Sequence, residues 1–183
     1  MFPKKGEVLA FQTDTVWGFG CEPNDKSAIE KIYQIKKRDE KKPLILMSCD
    51  FKYLEKYVQN VPDYAYDLIQ KYLPGALTLI FEKSNLTPNE VTRNFQTVGI
   101  RIPNSKNFME LVEKTTSKVL ATTSCNVSGQ KPVENFKDAM AQFQDKATII
   151  EPMYDEDIKN IPSTVILCEK ENYKILRKGA IEL

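Results

Sequence analysis

The stretch QTDTVWGFG, residues 12 to 20, follows directly on the apolar run VLAF at residues 8 to 11. Within EVLAFQT (7–13), apolar residues occupy both faces, which is typical of a buried strand. The two threonines that follow supply hydroxyl groups, and glycine allows a backbone to pass close to a ligand. We therefore predict a buried strand at 7–13 that runs into a ligand-facing turn, walled by the ring of Trp17.

Alternating strand and helix patterns continue along the rest of the 183 residues. The stretch SAIEKIYQIKKR (27–38) predicts a helix, because Ser27 and Glu30 have the spacing of a capping box. Strands are predicted at PLILM (43–47), ALTLIFE (76–82), VGIRIP (98–103), KVLATTS (118–124) and ATIIEP (147–152), with a hairpin formed by STVILCE (163–169) and YKILRKG (173–179). Helices are predicted at 51–58, 62–73, 105–115 and 135–143. This pattern predicts an α/β fold over residues 1–183, a single domain with a mixed sheet and flanking helices.

Composition excludes several classes of function. The chain has 26 basic and 25 acidic residues and no histidine. The absence of histidine rules out Ser-His-Asp catalysis, HExxH metalloproteases and histidine-ligated metal sites. Neither a GxxxxGKS/T phosphate loop nor a GxGxxG fingerprint is present. An enzyme with this sequence would therefore act through positioning and electrostatics.

The cysteine spacing and the apolar runs predict a cytoplasmic protein. The four cysteines lie far apart and have no CxxC spacing, which is typical of reduced thiols. No apolar stretch approaches the roughly 20 residues that span a bilayer. The N-terminal residues lack the cleavage site of a signal peptide. We expect no membrane partner.

Cations cluster at the end of the predicted 27–38 helix. Lys36 extends the stripe formed by Ile29 and Ile32, so its side chain should point along the surface or into a cavity, whereas Lys37 faces away. Lys36, Arg38 and Lys42 fit a phosphate site, because arginine supplies a planar fork and lysine a point charge. A solvated helix end, with cations at the C-terminal dipole, explains the same residues.

Other candidate residues lie at strand ends. The stretch ATTSCNVSG (121–129) carries donors that suit an anion, although serine, asparagine and glycine are also common in ordinary turns. Arg101 shares a strand face with Gly99 and fits either a carboxylate site or a solvated face. Arg177 is a phosphate ligand or a surface cation, and Ser163 is a hydroxyl donor or a plain strand residue.

The order of these segments resembles the YrdC-like family. The segments are QTDTVWGFG, IKKRDEKKPLIL, LPGALTLIF, VGIRIPNS, ATTSCNVSGQKP, STVI and ILRKGAI, and together they cover residues 6 to 181. They are similar to the family patterns PTDTVYGLG, KxR, PGPxT, GxRxP, SxN and RPG. The short length resembles the single-domain form of the family. The resemblance implies a twisted sheet around a large, positively charged cavity.

The family includes the L-threonylcarbamoyladenylate synthases, and the resemblance implies their reaction. These nucleotidyltransferases condense L-threonine, bicarbonate and ATP to threonylcarbamoyl-AMP and pyrophosphate, for threonylcarbamoyladenosine modification of tRNA. The implied partners are downstream threonylcarbamoyl-transferase proteins, with tRNA or other RNA as an indirect partner. Mg²⁺ would be bound through the ATP phosphates rather than through protein side chains.

The resemblance also implies a role for each candidate residue. The ATP ligands would be Lys36, Arg38, Lys42, Thr97, Ser124, Asn126 and Arg177, with Lys36 and Arg38 as the catalytic pair. The threonine-binding residues would be Thr13, Thr15, Trp17, Arg101, Thr122 and Ser163. Trp17 and Met47 stand where relatives often carry a tyrosine and a histidine.

Two other functions compete with the synthase. An RNA- or ribosome-binding module would use the same basic cavity without catalysis, and its binding would weaken steeply with salt. A carbamoyl-transfer domain like that of the hydrogenase maturation proteins is the other alternative. This chain lacks the zinc-finger and acylphosphatase-like segments of those proteins.

Overall fold

A ten-stranded mixed sheet organises residues 2–183, which are the residues that the computed structural model describes. The strands are β1 (Leu9–Phe11), β2 (Gly18–Cys21), β3 (Ile45–Ser48), β4 (Val58–Gln59), β5 (Leu77–Lys83), β6 (Thr97–Arg101), β7 (Val119–Ser124), β8 (Thr148–Ile149), β9 (Thr164–Cys168) and β10 (Tyr173–Arg177). The helices are α1 (Lys26–Lys36), α2 (Phe51–Leu54), α3 (Asp63–Tyr72), α4 (Asn89–Thr92), α5 (Lys106–Glu113) and α6 (Phe136–Phe143). Among residues 2–183, no helix is both long and apolar enough to cross a membrane.

The strand order is β10-β9-β5-β6-β3-β7-β2-β1-β8, with β4 paired to β5. The pairs β1/β8, β3/β6 and β5/β9 are parallel, whereas the remaining pairs are antiparallel. The predicted mixed sheet and the predicted hairpin of β9 and β10 are therefore confirmed.

Three local predictions are wrong. The GFGC residues continue past the predicted turn as strand β2, which pairs with β1 and β7. Helix α1 is capped by Asp25, whose carboxylate accepts a hydrogen bond from the Ala28 N–H at 3.0 Å, so Ser27 is not the cap. The predicted 51–58 helix ends early, because a 3₁₀ turn at Glu55–Tyr57 leads into β4.

Helix α5 covers part of one face of the sheet. The rings of Phe11 and Phe108 meet there at 5.4 Å between centroids, next to Leu111 and Leu120. The larger core cluster includes Ile32 of α1. Side chains on the α5 face of β3, β6 and β7 extend beyond this apolar cluster and line a cavity instead. The alternation of side chains along these strands thus puts the cavity on the same face of the sheet as α5.

Gly18 and Gly20 make room for a core ring rather than for a ligand. A Cβ atom on Gly20 would lie 2.9 Å from the Phe11 ring, and one on Gly18 would lie 3.1 Å from it. Both distances are shorter than ordinary contacts between carbon atoms. The prediction that these glycines bring the backbone close to a ligand is therefore wrong.

Candidate active site

A cavity of about 360 Å³ opens on the sheet where α5 does not cover it. Its lining contains three arginines and, among the described residues, no carboxylate. The lining residues are Thr15, Val16, Arg38, Pro43, Ile45, Met47, Thr78, Arg101, Thr122, Thr123, Ser124, Asn126, Pro132, Pro162, Ser163, Val165 and Arg177. The cavity therefore suits an anionic ligand.

The turn at residues 12–17 is built by the hydroxyl of Thr13. That hydroxyl donates to the Val16 carbonyl at 2.7 Å and accepts from the Thr15 and Val16 N–H groups at 3.2 and 3.3 Å. Thr13 is buried by the turn and does not line the cavity, whereas Thr15 does. Thr13 thus shapes the turn, which corrects its predicted role as a direct ligand.

Arg101 is the most buried of the three arginines, with 2% of its surface exposed. Its Nε donates to the Gly75 carbonyl at 2.9 Å, and its two terminal nitrogens donate to Thr15 Oγ1 at 2.7 Å and to Asp14 Oδ1 at 2.6 Å. Burial lowers the pKa of Arg101, and the neighbouring Asp14 carboxylate opposes that shift. The guanidinium is thus held in a fixed orientation at the cavity wall.

Lys36 lies beneath the loop that carries Ser124 and Asn126. Lys37 is exposed, as the helical stripe predicts, whereas Lys36 is buried and lies neither along the surface nor in the cavity lining. The ammonium donates to the Ser124 carbonyl at 2.5 Å, the Asn126 carbonyl at 2.9 Å and Asn126 Oδ1 at 2.6 Å. These three acceptors belong to the loop, and Lys36 is not among the lining residues.

The ammonium of Lys36 sits among uncharged oxygens. Burial, with a smaller contribution from the charge of Arg38, lowers the pKa of Lys36 to about 7. The loop itself is closed by Ser124 Oγ, which donates to Asn126 Oδ1 at 2.6 Å, and by Asn126 Nδ2, which donates to the Gln130 carbonyl at 2.6 Å. Lys36 therefore sets the shape of the loop and places a positive charge behind it.

Arg38 and Arg177 lie at the rim of the cavity. Arg38 donates to the Lys42 and Pro43 carbonyls, each at 3.1 Å, which fixes the chain that leaves α1. Arg177 donates twice to the Ser163 carbonyl, at 2.8 and 3.1 Å. Partial burial lowers the pKa of both arginines.

Three hydroxyls complete the lining between the arginines. Thr122 donates to the Ile45 carbonyl at 3.3 Å, and Ser163 and Thr78 share a hydrogen bond of 2.8 Å between their Oγ atoms. Thr122 and Ser163 were predicted from the sequence, whereas Thr78 was missed. The sequence does indicate the orientation of Thr78, because within the alternating stretch ALTLIFE its neighbours Leu77 and Leu79 face the core, so Thr78 faces the opposite side.

Three further predicted residues lie outside the cavity. Trp17 is completely buried in the core, with its ring 6.5 Å from that of Phe136, so it does not wall the cavity. The exposed Lys42 contributes its carbonyl group to Arg38, and Thr97 lies at the far end of β6 from Arg101. Neither residue is among those that line the cavity.

Asp14 is a functional candidate that the sequence analysis missed. It forms the ion pair with Arg101, and its backbone carbonyl accepts from the Lys159 N–H at 3.2 Å. The sequence offered one indication of its importance, namely the position of Asp14 between Thr13 and Thr15 in the turn. The sequence could not identify its partner, because Asp14 lies 87 positions before Arg101 and only the fold joins them.

The donor set of the cavity suits phosphate and carboxylate oxygens. Guanidinium, hydroxyl and amide groups are donors that bind such anions. Among residues 2–183, no three His, Cys, Asp or Glu side chains are grouped as a metal site would require. A Mg²⁺ ion that enters with a nucleotide would therefore take most of its ligands from the phosphates and water.

A wider groove of about 680 Å³ lies elsewhere, near Glu22 and Asp25. Their carboxylates already accept hydrogen bonds from the backbone N–H groups of Thr116 and Gly6, at 2.9 and 2.5 Å. Since these carboxylates are already hydrogen-bonded to the protein backbone, the smaller arginine-lined cavity is the better candidate site.

Several known proteins similar to this chain are named threonylcarbamoyl-AMP synthase. Threonylcarbamoyl-AMP synthase from Pyrococcus abyssi is 31% identical over an alignment of 184 positions, which covers 100% of this chain and 53% of that protein. The protein of the same name from Enterobacter sp. is 30% identical over 149 residues, or 80% of this chain and 78% of that protein. The chain thus spans about half the length of the Pyrococcus relative.

Solved structures show the same fold. The crystal structure of P. abyssi Sua5 complexed with L-threonine superposes with a TM-score of 0.86 at 30% identity, over 95% of this chain and 51% of that chain. E. coli YciO superposes with a TM-score of 0.84 at 24% identity, over 97% of this chain and 85% of that chain. The Sua5/YciO/YrdC family model, described as telomere recombination, matches residues 2–179. The chain therefore belongs to the Sua5/YciO/YrdC family.

Proposed function

We propose that this protein is an L-threonylcarbamoyladenylate synthase, a nucleotidyltransferase that uses L-threonine, bicarbonate and ATP. One observation carries the proposal: the cavity has a buried, paired arginine at one end and a cation-backed loop of hydroxyl and amide groups at the other. The first arrangement suits an amino-acid carboxylate and the second suits phosphates. Relatives that carry the synthase name support the same function.

Threonine is proposed to bind at the Arg101 end. Arg101 keeps two N–H groups beyond the three that the protein uses, and a planar guanidinium can pair with a carboxylate through two parallel hydrogen bonds. The rest of the amino acid would be contacted by Thr15, Thr122 and Ser163, since all three line the cavity. The structure of the P. abyssi relative contains L-threonine, which supports threonine as a ligand of this fold.

ATP is proposed to bind at the loop end. Arg38 and Arg177 would contact phosphate oxygens from the rim, and Ser124 and Asn126 would contact the nucleotide from the loop. Lys36 would act from behind the loop, through its charge and through the loop's shape. Thr97 and Lys42 are not included, since both lie outside the lining.

The chemistry requires alignment rather than a covalent nucleophile. Threonine and bicarbonate form a carbamate and water, and a carbamate oxygen then bonds to the α-phosphorus of ATP as the bond to pyrophosphate breaks. Such in-line displacements depend on positioning and on cations that stabilise the developing charge. Arg38, Arg177 and the charge of Lys36 can supply both in a chain without histidine. Mg²⁺ bound to ATP would neutralise phosphate charge.

The product would serve the threonylcarbamoyladenosine modification of tRNA. Threonylcarbamoyl-AMP is a mixed anhydride, so an acceptor protein must transfer its acyl group before water hydrolyses it. We propose downstream threonylcarbamoyl-transferase proteins as partners, with tRNA bound indirectly through them. The four free cysteines fit a cytoplasmic enzyme.

Release of pyrophosphate from ATP tests the proposal. The assay contains bicarbonate and one amino acid at a time, and mass spectrometry identifies the nucleotide product. We expect release with L-threonine, whereas serine and valine should support it weakly. If L-threonine gives no signal above the reaction without amino acid, the proposal is wrong. RNA binding that falls steeply with salt would then favour the RNA-binding alternative.

A further inference from the structure

The connection between β8 and β9, residues 150–163, contains neither helix nor strand but is held at one point by many hydrogen bonds. The carboxylate of Glu156 faces the start of α5. It accepts from the Lys106 N–H at 2.6 Å, from the Asn107 N–H at 3.0 Å, from Ser105 Oγ at 2.9 Å and from Asn107 Nδ2 at 2.7 Å. A helix start with free N–H groups favours a carboxylate.

The Asn107 side chain holds the residues that precede Glu156. Its Oδ1 accepts from the Met153 and Tyr154 N–H groups at 2.8 and 2.9 Å, and its Nδ2 also donates to the Tyr154 carbonyl at 2.9 Å. Asn107 is itself 8% exposed. The segment 153–156 is therefore fixed to α5 as one unit.

The same connection contacts the turn that orients Arg101. Gln12 Nε2 donates to the Glu156 carbonyl at 2.9 Å, and the Lys159 N–H donates to the Asp14 carbonyl at 3.2 Å. Asp14 in turn holds the Arg101 guanidinium at 2.6 Å. Beyond Lys159 the connection ends at Pro162 and Ser163, which line the cavity.

We infer that Glu156 is a positioning residue for the amino-acid end of the cavity, acting through the β8–β9 connection on Asp14 and Arg101. This inference rests on the proposed function for its kinetic test. Glu156 itself does not line the cavity, so it acts without touching substrate. The Glu156 carbonyl and the Lys159 N–H contact the 12–17 turn directly, whereas the phosphate end of the cavity has its own support from Lys36.

The charge of Glu156 is what the α5 contacts require. Burial alone would raise the pKa of Glu156, but the hydrogen bonds from Asn107, Lys106 and Ser105 lower it. An amide in place of the carboxylate would turn its NH₂ group towards the donors that now contact one of the two oxygens, and two donors cannot form a hydrogen bond with each other. The substitution Glu156→Gln therefore removes hydrogen bonds to one oxygen while keeping the shape of the side chain.

Steady-state kinetics of Glu156→Gln test the inference. We expect the KM for threonine to rise about tenfold or more, the range that loss of charged hydrogen bonds produces, while the KM for ATP stays within about twofold. The matched control is Asp157→Asn, which neutralises the exposed neighbouring carboxylate and should behave as wild type. An unchanged KM for threonine, or equal rises for both substrates, would overturn the inference.

A second variant and a second measurement guard against simple misfolding. Gln12→Met removes the one contact between Gln12 and the Glu156 carbonyl, and should raise the KM for threonine in the same direction but less. Hydrogen–deuterium exchange of the free protein should show faster exchange in residues 13–16 and 157–163 of Glu156→Gln, with residues 124–128 unchanged. Unchanged exchange at 13–16 would contradict the inference even if the wild-type protein proved inactive with threonine.

Discussion

Arg101 and Lys36 are both buried cations, but the protein compensates them differently. Arg101 pairs with the Asp14 carboxylate at 2.6 Å. Lys36 is surrounded by the oxygens of Ser124 and Asn126, none of which carries a formal charge. The charge of Arg101 is therefore partly neutralised before a ligand arrives, whereas that of Lys36 is not.

Under the proposed function, this difference in compensation would let each end of the cavity select a different ligand. An arginine held by a carboxylate binds a ligand directionally, since its remaining N–H groups point in a fixed direction. An ammonium without a counterion produces a positive electrostatic potential behind the loop, which attracts a multiply charged phosphate. The two ends should consequently fail differently when their cations are removed.

The largest expected effect comes from Arg101→Met. Removing the guanidinium leaves Asp14 partly buried without its partner, which costs about 3–5 kcal/mol of unfolding free energy. Threonine-dependent pyrophosphate release should fall by at least about 100-fold, since a charged two-point contact is lost. Chemical denaturation and the pyrophosphate assay measure the two effects.

The double variant Asp14→Asn/Arg101→Met separates stability from binding. We expect it to recover part of the unfolding free energy, because no unpaired carboxylate remains, while activity stays low. Recovered activity in the double variant would show that Arg101 serves the fold alone.

A smaller and more selective effect is expected from Lys36→Met. The substitution removes the positive charge and leaves the carbonyls of Ser124 and Asn126 without their donor. The Kd for ATP should rise about 10- to 100-fold, in line with the loss of charged hydrogen bonds. Isothermal titration calorimetry measures the Kd for ATP and the Kd for threonine separately.

Threonine binding provides the control for Lys36→Met. Its Kd should change by less than about threefold, because Arg101 has its own partners at the other end of the cavity. If threonine affinity fell as much as ATP affinity, the two ends would not be independent and the comparison would break down.

The last expected effect is a pH dependence that Lys36 alone produces. Its pKa falls from the ordinary value of 10.5 to about 7 in the folded protein. Between these values the unfolded chain binds a proton that the folded chain does not, so the unfolding free energy of wild type relative to Lys36→Met should rise with pH. Below about pH 7 both states hold the proton, and the difference should level off.

Denaturation of wild type and Lys36→Met at pH 6, 8 and 9 measures this dependence. Over the same range the advantage of wild type in ATP affinity should shrink, because neutral Lys36 no longer supplies a positive field. A wild-type stability that falls with pH relative to the variant would contradict the lowered pKa of Lys36.

The sequence was sufficient for most strands and for four cavity-lining residues among the predicted ATP ligands, namely Arg38, Ser124, Asn126 and Arg177. Strand alternation placed Arg101 on the face opposite Ile100, whereas the helical stripe through Ile29 and Ile32 left Lys36 either along the surface or in a cavity. Trp17 shows the limit of such reasoning. Its position in the motif suggested a cavity wall, but the chain turns so that the indole packs near Phe136, a contact between residues 119 positions apart.

The amino-acid sequence by itself determined the α/β class and the face on which the residues of a predicted strand such as β6 lie, because these follow from periodicity within a few neighbouring residues. Tertiary structure alone decided that Asp14 meets Arg101, that Lys36 serves the loop from behind, and that Glu156 holds the β8–β9 connection. Each of these contacts joins distant parts of the chain. Their pairing depends on how the whole sheet packs, since local patterns carry no information about a partner's position.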